Sequence, residues 1–148
     1  MFISRTPFKH EHPHALALYC SDGRFASAVE ELAASLGEPR IDEMCLPGGP
    51  GLLDDWTSPS ILETGLVEDA VRFLVVGHGT RTVLIVSHEG CGFYKARFPD
   101  ITEVERRERQ MADLLRVRTR LQRSHQGVVV QAFYASVRGS ELVFEAVG

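Results

Sequence analysis

The sequence predicts an α/β fold, a mostly parallel central sheet flanked by helices. Three observations lead there. Short apolar runs alternate with stretches whose apolar residues recur at helical spacing. Thr82 to Ser87 is a continuous, largely β-branched run, the mark of a central strand covered on both faces. The first four strand runs are separated by helical stretches, which calls for right-handed crossovers and parallel pairing.

Residues 1–14 are polar and irregular and read as a flexible arm, with His10, His12 and His14 alternating along it. Ala15 to Tyr19 reads as a buried strand ending at Cys20. From Arg24 to Leu36, Phe25, Ala28, Val29, Leu32 and Leu36 fall on one helical face, and Gly37 is placed to stop the helix. Arg40 to Leu46 is a second strand, with Ile41, Met44 and Leu46 making apolar contacts and Cys45 inside the core. Pro47-Gly48-Gly49-Pro50-Gly51 continues neither element and reads as a loop. Ser58-Pro59 suits a helix start, Ser as cap and Pro at the first helical position. That helix reaches about Val76 and is expected to bury Leu62, Leu66, Val67, Ala70, Phe73 and Leu74. Thr102 and Glu105 fit a capping box for a long helix to about Arg123, with Val104, Met111, Leu114, Leu115 and Leu121 on one side. Gly127 follows as a stop, and Val128–Val137 and Leu142–Val147 close the chain as strands. His78 and His125 read as exposed helix-end residues.

The whole chain, residues 1–148, reads as one domain with no internal repeat. Its net charge of −4 gives no electrostatic reason to expect nucleic acid. Runs such as Val83-Leu84-Ile85-Val86 are far too short to cross a bilayer, and residues 1–6 lack the pattern of a signal peptide, so no membrane partner is expected. Three cysteines without a disulfide framework suit a reducing cytoplasm, where thiols are free to bind metal.

Two clusters carry the chemistry: Cys20-Ser21-Asp22-Gly23-Arg24 and His88-Glu89-Gly90-Cys91. Each follows a strand, and in parallel sheets ligands bind beyond the carboxyl ends of the strands. The glycine-rich loop after the second strand ends at the same edge. His88 and Cys91 are close enough for one tight turn to aim both at a single ion, with Cys20 supplied by a neighbouring strand. Two thiolates and one imidazole make three zinc ligands, the number found in catalytic sites that keep a place for water. The competing reading makes Cys20 a small buried hydrophobe and His88 a hydrogen-bonded strand-end residue. Asp22 and Arg24 would pair through a bidentate contact that fixes the carboxylate, or form a surface ion pair of little consequence. Gly48-Gly49-Pro50-Gly51 lacks the phosphate-binding patterns, and its prolines remove backbone donors that a phosphate would need.

At these residues the chain resembles the β-class carbonic anhydrases, whose zinc motif is C-x-D-x-R followed much later by H-x-x-C. Both halves are complete here, and Gly92 matches a glycine common after the second cysteine. The resemblance implies one zinc per chain on Cys20, His88 and Cys91, with Asp22 as gatekeeper of the fourth position and Arg24 as its orienter. It implies a zinc lyase that hydrates carbon dioxide reversibly to bicarbonate, a homodimer or higher even oligomer, and a small-molecule pocket assigned to Gly48, Gly49 and Gly92. His78 or Tyr94 would relay the proton. Two other functions fit the same site: hydrolysis of a related small electrophile such as carbon disulfide, or a non-catalytic zinc site closed by Asp22. The chain departs from the family where Leu46-Pro47-Gly48-Gly49-Pro50 replaces an arginine–asparagine–alanine–glycine–asparagine type segment. No counterpart is found for the family's pocket glutamine or its N-terminal helices.

Overall fold

The computed structural model describes all of residues 1–148. Five strands form one sheet: β1 (Ala15–Cys20), β2 (Asp42–Leu46), β3 (Thr82–His88), β4 (Val129–Arg138) and β5 (Glu141–Ala146). Their spatial order is β2-β1-β3-β4-β5. The first three neighbouring pairs are parallel, and β5 returns antiparallel to β4 through a turn at Gly139. Four helices complete the fold: α1 (Ala26–Ser35), α2 (Ile61–Gly77), α3 (Gly92–Arg97) and α4 (Glu103–Ser124). The α/β class and the mostly parallel sheet agree with the sequence pattern.

The period-2 alternation of the strands sends side chains to two cores. Leu16, Leu18, Val83, Ile85, Val130 and Ala132 meet Val67 and Val71 of α2 and Leu114, Val117 and Leu121 of α4. Ala17, Tyr19, Leu84, Val86 and Phe133 face Phe25, Val29 and Ala33, at and within α1. Thr102 and Glu105 close the expected capping box at the start of α4.

Several sequence expectations are corrected. The loop after β2 winds into a 3-10 turn at Gly49–Leu53. The cap of α2 is Ser60, which accepts from the Glu63 amide, so Pro59 lies outside the helix. That helix presents Thr64, Val67 and Val71 to the core, leaving Leu62, Leu66 and Phe73 exposed at 86%, 74% and 65%. It is apolar on two faces, and only one meets the sheet. Val104 and Leu115 of α4 are likewise exposed. Cys45 is exposed because β2 is an edge strand whose outer residues α1 does not cover. His78 is half-buried and lies 2.8 Å from an Asp42 carboxylate oxygen. His125 is also half-buried, and burial lowers its pKa. The arm has no regular secondary structure, but Arg40 donates to the Glu11 carbonyl and His12 stacks on His78 at 3.9 Å.

Candidate metal centre

Cys20 is the last residue of β1 and His88 the last of β3, its parallel neighbour, so the pairing alone brings them to one sheet edge. After His88 the chain makes a turn at Glu89-Gly90, where Gly90 takes φ +69°, a conformation costly for any residue with a Cβ. The turn delivers Cys91 as the residue preceding α3. The ligand atoms of Cys20, His88 and Cys91 all lie within 4.8 Å of one another, and all three residues are buried. The two sulfur atoms are 3.8 Å apart, close to the separation of two thiolates sharing a tetrahedral ion at about 2.3 Å each.

The imidazole is prepared for a ligand. Its Nδ1–H donates to the Glu89 carbonyl at 2.8 Å. Nε2 is then the basic nitrogen, and it is buried with no hydrogen-bond partner. An orphaned buried acceptor is costly, and a metal ion would satisfy it. The second-shell hydrogen bond at Nδ1 is the kind that fixes the tautomer of a ligating histidine. Gln110 donates to the His88 carbonyl at 3.0 Å, and the Phe25 ring lies 4.2 Å from the imidazole. The residues present therefore fit a thiophilic divalent ion.

The sulfurs are prepared as well. The contact with Cys91, with smaller contributions from His88 and the backbone N–H groups of Gly48 and Asp22, draws the Cys20 thiol below the ordinary range, and burial opposes that shift. Cys91 is raised by the same contact and by burial, although the N–H groups of Tyr94 and Phe93 oppose that shift. Zinc takes cysteine as thiolate, so a divalent ion bound here would displace the thiol protons that remain.

Asp22 stands beside this group. Its carboxylate accepts from Arg24 Nε at 2.9 Å and from Arg24 Nη2 at 2.6 Å, and the Arg24 amide adds a third contact at 3.2 Å. The guanidinium holds the Asp22 carboxyl down to about 2, so it stays ionised throughout the neutral range. Arg24 itself is exposed and lies just ahead of α1.

Of the proposed pocket glycines, Gly49 takes φ +52° and packs so tightly that a Cβ would sit 2.7 Å from the Tyr19 carbonyl carbon. Gly48 lies under the Phe93 ring, and Gly92 faces open space. Neither expected proton relay is placed to act. His78 pairs with Asp42 at the opposite end of the sheet, about four residues or 13 Å along the strands from Cys20. Tyr94 is fully buried, its hydroxyl donates to Asp113 at 2.6 Å, and burial and that carboxylate raise its pKa well above the ordinary phenol value.

Residues not singled out from the sequence support the site from α4. Gln110 and Asp113 lie on its buried stripe with Arg106, Leu114, Val117 and Leu121. Asp113 accepts from Tyr94, from Thr57 at 2.6 Å and from Arg116. Polar residues at core-facing helical positions were the available signal.

The fold has well-defined relatives among solved structures. A β-carbonic anhydrase of Aspergillus fumigatus is similar at 17% identity over 93% of this chain and 77% of its own, with a TM-score of 0.58. A chain from the structures of two tetrameric β-carbonic anhydrases of Sordaria macrospora gives 11% identity, 90% and 81% coverage, and a TM-score of 0.59. One from Trichomonas vaginalis gives 13%, 98% and 89%, and 0.57. At these identities the likeness establishes the fold: the chain has the architecture of the β-carbonic anhydrases, with a Cys-His-Cys group suited to a metal ion at the end of its sheet. No family model matches the chain, and no curated protein matches it.

Proposed function

We propose that the chain is a zinc-dependent lyase that interconverts carbon dioxide and bicarbonate. The observation that carries this reading is the buried trio of Cys20, His88 and Cys91, its Nε2 free, with an ionised, arginine-held carboxylate beside it. Zinc bound there would supply a Lewis acid that lowers the pKa of a water molecule in the open fourth position.

The residues of the chain do the remaining work. Asp22 accepts a hydrogen bond from the attacking water and aims its lone pair at the substrate carbon. Arg24 holds both carboxylate oxygens, which keeps Asp22 turned away from a closing, fourth-ligand role. Phe93 over Gly48 and Phe25 against His88 make the surroundings apolar, as a small uncharged gas requires. Gly48, Gly49 and Gly92 complete the proposed pocket, Gly92 being its open wall. The same apolar character suits carbon disulfide or carbonyl sulfide, so stopped-flow hydration of carbon dioxide should be run beside turnover of these two. Faster turnover of either sulfur compound would move the assignment to a hydrolase.

Asp22→Ala separates the enzyme from a closed structural zinc site. For the open site the variant keeps its zinc and loses about 10²–10⁴-fold in turnover, the usual scale for a positioned proton-handling group. Loss of zinc together with a lower melting temperature would instead assign Asp22 as a structural ligand.

We also propose a homodimer or higher even oligomer in a reducing compartment such as the cytoplasm. The exposed stripe of Leu62, Leu66, Phe73 and Val76 on α2 is apolar surface that a monomer would leave in water, and thiolate ligands require reduced cysteines. No helix is long and apolar enough to cross a membrane. Sedimentation velocity is expected to give a multiple of 16.4 kDa; a single species of that mass at micromolar concentration would end the oligomer proposal.

A further inference from the structure

We propose that Tyr94 and Asp113 form an outer clamp that holds Cys91 in ligating geometry, which makes them positioning residues of the metal centre. The inference rests on the assignment of Cys20, His88 and Cys91 as ligands. Cys91 precedes α3, a helix of six residues. So short a helix has no stability of its own, and its placement must come from tertiary anchors. Its only fully core-facing residue is Tyr94. Tyr94 packs directly with Cys20 and Cys91 in one small buried cluster. Wherever the Tyr94 side chain is fixed, the start of α3 and the sulfur of Cys91 packed against it are fixed as well.

What fixes Tyr94 is unusual for a core. Its hydroxyl reaches a carboxylate on α4 that is itself 1% exposed. Asp113 also accepts from Thr57 and pairs with Arg116, and Arg116 continues to Asp54, just past the 3-10 turn. The hydroxyl also occupies space left free by Gly51, where a Cβ would stand 2.2 Å from it. One buried carboxylate thus ties α3, which carries Cys91, to the loop that packs on the backbone of Cys20. A buried charge is costly and would be replaced by apolar packing if filling volume were the only need. Here it spans the two segments whose relative position sets the 3.8 Å between the sulfurs. Outer-shell partners of this type are worth about 10–100-fold in metal affinity when removed.

The test compares Tyr94→Phe with Thr57→Val. Each removes one hydroxyl hydrogen bond to Asp113, but only the first loosens α3. Zinc affinity is read by competition with a chromogenic chelator, the site geometry by the thiolate-to-cobalt absorption of the Co(II) form, and the fold by melting of the metal-free protein. The clamp predicts zinc binding weakened about 10–100-fold and an altered cobalt band in Tyr94→Phe, with Thr57→Val within about threefold of the parent and its band unchanged. Tyr94→Phe binding zinc within about twofold of the parent, or Thr57→Val falling equally far, overturns the clamp while leaving the ligand assignment standing. A parent protein that takes up neither zinc nor cobalt removes the ligand assignment itself, and the clamp with it.

Discussion

Replacing Cys20 with serine should reduce zinc affinity about 10²–10³-fold and leave the purified protein largely metal-free. Four-ligand structural zinc sites bind with about 10–16 kcal/mol in all, so one thiolate accounts for about 2.5–4 kcal/mol, and each 1.4 kcal/mol is a factor of ten. The loss here extends beyond the missing bond. Cys20 is the thiol whose pKa is drawn down by its contact with Cys91, so the variant removes the more readily ionised of the two sulfur ligands. Serine is nearly isosteric and should leave the fold intact. Cys45→Ser is the internal control, because Cys45 is exposed on the edge strand and should leave metal content unchanged. Zinc content by elemental analysis decides the matter. A Cys20→Ser protein that retains one zinc per chain would exclude Cys20 from the ligand set.

The second large effect is expected from Gly49→Ala. The residue takes φ +52°, and its missing side chain lets the loop lie directly on the backbone joining Tyr19 to Cys20. A methyl group would meet that backbone at 2.7–2.8 Å, and backbone, unlike the tip of a side chain, has nowhere to go. The left-handed conformation costs roughly 1–2 kcal/mol for a residue with a Cβ, and overpacking adds about 1–3 kcal/mol. A total of about 2–5 kcal/mol should lower the melting temperature by roughly 4–20 °C for a chain of this size. Because the clash falls on the backbone that aims Cys20, zinc affinity should fall as well. Gly65→Ala makes the contrast: a methyl group there meets nothing within 4 Å, in the middle of α2, and should stabilise by about 0.5–1 kcal/mol. A Gly49→Ala protein that melts with the parent would remove the close-approach argument.

The parts of this molecule legible in its sequence are those where a local pattern and a tertiary requirement coincide. The strand run of Thr82 to His88 is apolar because it lies inside the sheet, and the capping box of Thr102 and Glu105 closes within one helical turn. Cys20, His88 and Cys91 stood out because thiols and imidazole at strand ends have few other uses, and parallel pairing of β1 with β3 brings them to one edge. The misread features depend on which neighbour covers which face. Cys45 alternates correctly but sits on an edge strand, and α2 carries more apolar surface than one sheet face can bury. Pro59 pointed to Ser58 as the cap of that helix, but Ser60 takes the role. The brief α3 lacks the length to show a period. Asp113 and Gln110 were hidden because a polar residue in a helix ordinarily reads as solvent-facing; only their spacing with Leu114, Val117 and Leu121 places them inward.

Zinc K-edge absorption spectroscopy on the purified chain tests the convergence of two thiolates and one imidazole on one ion most directly. The account predicts two sulfur scatterers at about 2.3 Å and one imidazole nitrogen at about 2.0–2.1 Å, with one further light-atom ligand. A zinc edge with no sulfur in the first shell, or a reduced protein that holds no zinc when supplied with it, would contradict the account.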